Sequence, residues 1–207
     1  MAEHSSHDPL AGLPFDRVPP AGFYGAPGAA GVTVTTGRAP SIALAVARHG
    51  FAASVTARLA RAFGVELADR AGAAISAAST VIGTGPGRFL VLSTSEPDLA
   101  GTLRALLGTE AAVTEQDDAN VLFELTGAKV PDLLAKGAQI DLDPRVFLPG
   151  DAATTVIAHI GVTLWRVNET GWRVLVARSF EASFTRFLVA GGAEFGLRLE
   201  AVPAGRG

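Results

Sequence analysis

Apolar and polar positions change their period along this chain, and each change marks an element. From Ser41 to Arg48, small and β-branched apolar residues predict a strand. Phe51–Phe63 then carries Val55, Leu59 and Ala62 at i, i+4 and i+7, one face of a helix. Gly64 is placed to stop that helix as a left-handed cap. Ala77–Ile82 and Phe89–Ser93 flank Gly83-Thr-Gly-Pro-Gly87 and predict a hairpin. Ser95 is placed to cap the next helix, with Glu96 and Asp98 near the positive end of its dipole. Leu99, Leu103, Leu106 and Leu107 form the buried stripe of that helix and Gly108 ends it. Glu110–Thr114 completes the cycle as a short strand.

A second cycle follows. In Asn120–Leu125, Leu122 and Glu124 alternate with Val121, Phe123 and Leu125, the period of a half-buried strand. Thr126–Lys136 predicts a short helix with Pro131 in its first turns, and residues 137–152 an irregular crossing rich in Asp, Pro and Gly. Thr154–Ile160 and Val162–Val167 read as strands with Gly161 as a bend or bulge between them. Asn168–Gly171 reads as a hairpin loop and Trp172–Ala177 as its return strand. Ser179 is placed to cap a helix bearing Phe180, Phe184, Phe187 and Leu188 on one face, and Leu197–Val202 is a last strand.

The order β-α-β-β-α-β therefore occurs twice. Hairpins mixed with crossovers predict an α+β fold of two split βαββαβ-like units sharing a core. The domain spans 40–207, with halves at about 40–116 and 117–203. Residues 1–39 hold Pro9, Pro14, Pro19, Pro20 and Pro27 among many glycines. Proline fixes φ and removes a donor, so this segment is read as an extended N-terminal arm. Phe15, Phe23 and Tyr24 are its candidate anchors, either on its own domain or on a neighbouring subunit.

Composition narrows the function. Hydrophobic residues make up 48% and charged residues 18%, enough to bury a large core. A mean hydropathy of +0.33 points to apolar surface that needs a partner. The net charge is −3, and of the 17 basic residues only Lys129 and Lys136 are lysines. The scattered arginines form no basic stripe, which argues against nucleic-acid binding. The chain has no cysteine, so it can hold no disulfide, thiolate metal site, iron–sulfur cluster or cysteinyl-flavin link. Met1–Leu10 carries no apolar signal region, and no stretch reaches the roughly 20 apolar residues of a membrane span. A cytoplasmic location is expected.

Candidate chemistry is sparse. Gly83-x-Gly85-x-Gly87 is followed by a predicted strand, whereas a dinucleotide loop needs a helix there, so it reads as a turn. His4 and His7 lie in the polar tail, His49 at a strand end and His159 in an apolar run. No histidine pair has helical metal spacing, and His159 reads as a core or interface residue. Asp117-Asp118 and Asp141/Asp143 pair carboxylates, which suits acid–base work but more commonly forms turns beside Pro and Gly. Ser179 has no nucleophile elbow around it. No catalytic, cofactor-binding or metal residue is assigned on this chain.

An ordered set of segments resembles the sarcosine oxidase gamma subunit family. These are Gly85–Leu92, Val121–Ala128, Leu133–Gly137, Asp141–Arg145, Phe147–Gly150, Ala158-His-Ile160, Leu164-Trp-Arg166 and Arg178–Phe184. The set covers most of residues 80–190. The family is related in fold to the aminomethyltransferases of glycine cleavage, which fits the doubled cycle. The resemblance implies a non-catalytic gamma subunit of a heterotetramer with alpha, beta and delta chains, serving assembly and stability. Such complexes convert sarcosine, O2 and tetrahydrofolate to glycine, methylenetetrahydrofolate and H2O2. It further implies that FAD, FMN, NAD, tetrahydrofolate and zinc belong to the partner subunits. Trp165, Arg166, Arg178 and Phe180, of residue types common at interface centres, join Phe15, Phe23 and Tyr24 as candidate contacts. Core packing is the alternative for Trp165, and a solvated turn for Arg166. Two further readings stay open: the gamma subunit of a related N-methyl amino acid dehydrogenase, and a stand-alone folate-binding or aminomethyltransferase-like protein.

Overall fold

A computed structural model of the chain describes residues 10–37 and 40–201. Its first cycle begins with strand β3 (Ser41–Ala47), preceded by β1 (Gly22–Tyr24) and β2 (Val32–Gly37). Helix α1 (Ala52–Phe63) buries Val55 and Leu59 and ends at Gly64 with φ +62°, the left-handed cap expected there. The next elements are β4 (Gly72–Ile75), β5 (Ser79–Gly85) and β6 (Arg88–Ser93), then α2 (Leu99–Leu107) and β7 (Ala111–Glu115). The short alanine-rich β4 has little β-branched character and carries no strand signal in sequence. Helix α2 is capped by Asp98, whose carboxylate accepts from the Gly101 N–H at 2.9 Å, and not by Ser95. Pro97 favours the later start, because the residue before a proline is biased away from helical ψ.

The second cycle runs β8 (Asn120–Thr126), α3 (Val130–Ala135), β9 (Ala152–Ile157), β10 (Ile160–Arg166), β11 (Gly171–Ala177), α4 (Glu181–Gly192) and β12 (Leu197–Ala201). Two expectations fail here. The bend between β9 and β10 lies at Ala158-His159, with φ +49° and +65°, while Gly161 sits inside β10 paired with Val156. Helix α4 follows a single 3-10 turn, Arg178–Phe180, and no side chain caps it, so Ser179 has no such role.

The two cycles share one topology. The first builds a five-stranded sheet in the order β4-β5-β6-β3-β7, and the second reproduces it as β9-β10-β11-β8-β12 with one insertion. Strand β2 enters between β8 and β12, antiparallel to the first and parallel to the second, and β1 extends the edge beyond β12. The proline-rich segment is therefore not an arm throughout. Pro19, Pro20 and Pro27 leave Val32–Gly37 free to pair, and Val32 and Val34 are fully buried.

Four layers result. Helices α3 and α4 cover one face of the seven-stranded sheet through Phe123, Leu125, Leu133, Phe184 and Leu188. Helices α1 and α2 cover the outer face of the five-stranded sheet through Leu59, Phe89, Val91 and Leu103. The sheets meet through Ile42, Ile82 and Leu92 on one side and Leu122, Trp165 and Leu175 on the other. Strand β8, whose alternation predicts a half-buried strand, is instead buried on both faces at Val121, Leu122 and Phe123, because a layer packs on each side of it.

Candidate functional site

Two of the expected interface residues are internal. Trp165 is completely buried between the sheets, and Arg166 is only 1% exposed. Strand alternation sends these neighbours to opposite faces, so Arg166 emerges on the side of the 137–151 crossing. Its guanidinium donates to the carbonyls of Pro144 and Phe147 at 2.8 Å each, of Asn168 at 3.2 Å and of Glu169 at 2.9 Å. A fifth bond, at 2.9 Å, reaches the Glu169 carboxylate. The planar fork of five donors suits arginine alone. Trp172 lies below the guanidinium, with 5.6 Å from its ring centroid to the guanidinium carbon, and stacks on Phe147 at 5.4 Å. One buried cation thus ties the crossing to the β10–β11 hairpin. The anchor expected on the surface is an internal lock because four main-chain carbonyls and one carboxylate replace the water that burial removes from its donors.

The lock fixes what the crossing presents. Val146 and Leu148 flank the buried Phe147 and are 62% and 51% exposed. Beside them Asp143 accepts from the Arg145 backbone N–H and guanidinium, both at 2.9 Å. These bonds lower the Asp143 carboxyl to about 2 and raise Arg145 above its usual range. Asp141 accepts from the Asp143 N–H at 2.9 Å, and Asp117 from the Ile42 N–H at 2.5 Å. The Asp141/Asp143 pair thus holds a turn, as its surroundings suggested, whereas Asp117 ties its own turn to the start of β3.

The other candidate contacts are dispersed. Phe15 is 87% exposed and rests beside the Arg186 guanidinium at 5.1 Å, while Arg186 also donates to the Leu13 carbonyl at 2.6 Å. Phe23 is half-buried beside Arg198, and the Tyr24 hydroxyl donates to the Pro20 carbonyl at 2.5 Å. Partial burial raises the Tyr24 hydroxyl above its ordinary value. Arg178 is exposed and donates to the Asp118 and Asn120 carbonyls, closing the start of β8 against the end of β11. Phe180 is 46% exposed at the entrance to α4. His49 and His159 both sit in exposed turns, so His159 is not a core residue, and His4 and His7 fall outside the described residues. Gly83-x-Gly85-x-Gly87 is a strand-to-strand turn with Gly87 at φ +63°. Among the described residues no three His, Asp or Glu side chains cluster closely enough to hold a metal. No helix among them is long and apolar enough to cross a membrane.

Comparison with known proteins places this architecture. The profile of the sarcosine oxidase, gamma subunit family matches residues 43–194. The chain belongs to this family. It is 35% identical over 149 residues to the sarcosine oxidase subunit gamma of Corynebacterium sp. (strain P-1), covering 70% of this chain and 71% of that one. It is 36% identical over 142 residues to that of an Arthrobacter species, covering 67% and 70%. Among solved structures it matches a chain of the heterotetrameric sarcosine oxidase from Corynebacterium sp. U-96 in complex with pyrrole 2-carboxylate. That match has a TM-score of 0.72 and 32% identity, and covers 83% of this chain and 88% of that one. The glycine cleavage system aminomethyltransferase T from Bartonella henselae shares the fold, with a TM-score of 0.58 at 13% identity over 84% of this chain and 48% of that one. The family match begins at β3, so β1 and β2 lie outside it, although β2 pairs with β8 within it.

Proposed function

We propose that this chain is the gamma subunit of a heterotetrameric sarcosine oxidase-like complex, where it serves assembly and stability while partner chains carry out the oxidative demethylation. The observation that carries this reading is the match to a chain of a heterotetrameric sarcosine oxidase, near-complete on both sides and 32% identical. The chemistry of the described residues supports placing the cofactors elsewhere. FAD, FMN and NAD need a phosphate cradle, and the one glycine-rich candidate turns a hairpin with no helix behind it. Zinc needs a cluster of nitrogen, sulfur or carboxylate ligands, which the described residues do not bring together and to which a chain without cysteine contributes no thiolate. In this reading the steps of the reaction belong to the partner chains.

In this role the Arg166 lock is a positioning device. It holds the 143–151 crossing rigid, so that Val146 and Leu148 form one apolar contact surface and Phe15 and Phe180 supply others. Exposed apolar side chains on a stiff frame lose little entropy when a partner covers them. Phe23, Tyr24 and Arg178 sit at the edges of these surfaces. A cytoplasmic location fits a chain without cysteine. The test is titration of the isolated chain with tetrahydrofolate, alongside recovery of the native complex. Absence of saturable folate binding together with stoichiometric partner chains supports the subunit role. Tight folate binding by an isolated monomer overturns it.

A further inference from the structure

A cleft of about 350 Å³ opens between the two sheets, lined by β3, β5 and β6 of one and by β9, β10 and β11 of the other, and is distinct from the Arg166 lock. Leu90 and Leu175 form its apolar floor, and Gln116, Asn120 and Thr163 stand on its polar rim. Two features set it apart. The first is Gly161, which lies within β10, where a Cβ would meet no atom within 4 Å. Glycine in a strand interior weakens the strand and often marks the close approach of another backbone or a ligand. Here its missing side chain leaves the mouth of the cleft open. The second is Arg88, exposed at the start of β6. Its guanidinium has no hydrogen-bonded or ionic partner among the described residues, and no acidic residue lines the cleft. The free cation, the neutral amide and hydroxyl rim and the short apolar floor together complement a carboxylate flanked by peptide groups. The cleft is an open groove rather than an enclosed chamber, so it suits a chain segment better than a small molecule that must be surrounded.

We infer that this cleft receives a segment of a partner subunit carrying an Asp or Glu, which pairs with Arg88 while its backbone passes over Gly161. The inference rests on the multi-subunit reading above and adds to it a location and a charge.

The test uses the full-length tagged chain co-expressed with its partner chains, in wild-type, Arg88→Glu, Arg88→Lys and Gly161→Leu forms, with the partner recovered per tagged chain as readout. Reversing a charge against a desolvated partner is expected to lower recovery about tenfold or more, and Arg88→Lys to retain most of it. Gly161→Leu is expected to lower recovery at unchanged charge. Thermal unfolding of the isolated Arg88→Glu chain within a few degrees of wild type, roughly, establishes that it still folds. Arg88→Glu recovering partners like wild type overturns the proposal. A melting-temperature rise of the isolated wild-type chain in sodium acetate that Arg88→Glu abolishes, with assembly intact, assigns the cleft to free carboxylates and also overturns it. If wild type itself recovers no companions, the subunit reading fails first and the inference falls with it.

Discussion

Replacing Arg166 by methionine retains most of the side-chain volume and removes every donor. Five hydrogen bonds are lost, four of them to main-chain carbonyls of residues 144, 147, 168 and 169. Bonds from a charged donor contribute about 1.5–3 kcal/mol each in mutational series, and a buried acceptor left alone costs about 1–3 kcal/mol. These losses do not add, because they share one loop and water can replace the donor at the Glu169 end, where the carboxylate side chain is 84% exposed. The net destabilisation is therefore set at about 3–5 kcal/mol, as for other broken buried charge networks. Against a total stability of about 5–15 kcal/mol this is a large share. Arg166→Lys keeps one cationic head but not the fork, and should fall between wild type and methionine. Urea unfolding followed by tryptophan fluorescence reads the effect directly, since the chain has two tryptophans and Trp172 packs against the guanidinium. Limited proteolysis should show cleavage within 143–151 in the methionine variant before global unfolding. A methionine variant within about 1 kcal/mol of wild type, with the crossing still protected, would refute the lock.

Other outcomes follow from single contacts. Changing Ala158-His159 to Asn-Gly supplies residues suited to the left-handed turn and should stabilise the chain by about 0.5–1 kcal/mol in urea titration. The Asp143 carboxyl, lowered from 3.8 to about 2 by hydrogen bonds from Arg145, contributes fully above its unfolded value and loses that contribution as pH falls through about 2. A carboxyl NMR titration should find that low midpoint, and Arg145→Ala should return it toward 3.8. Deleting residues 1–39 removes β2 from between β8 and β12, so circular dichroism should show loss of cooperative unfolding rather than a folded chain with weakened assembly. Phe15→Ala, at a side chain 87% exposed, should change the isolated chain's stability by less than about 0.5 kcal/mol while lowering partner recovery.

The doubled cycle was legible because its helices and hairpins follow local rules. Leu99, Leu103 and Leu107 give a helical stripe whatever surrounds them, and Gly64 and Asn168–Gly171 punctuate the chain where their chemistry requires. What escaped depended on distant partners. Strand β2 pairs with segments roughly 90 and 165 residues away along the chain; its β-branched run Val32-Thr-Val-Thr-Thr36 is a local strand signal, which the proline-rich reading of residues 1–39 passed over. Gly161 carried a faint signal, a glycine in an apolar run, but the same signal fits a bend. His159 looked internal because its neighbours are apolar, whereas the turn it occupies turns it outward. Arg166 stood at a strand end, where solvent is the usual partner; the carbonyls that bury it come from residues 144–147 as well as from its own hairpin. The ordered family segments carried the functional reading where no catalytic motif did, and their match over residues 43–194 bears out the family.

Gentle purification of the tagged chain from its native cell, with the companion chains counted and the visible spectrum recorded, tests the central claim most directly. The account predicts three further chains in equal amount and a yellow, flavin-containing complex. A colourless monomer, stable on its own, would contradict it.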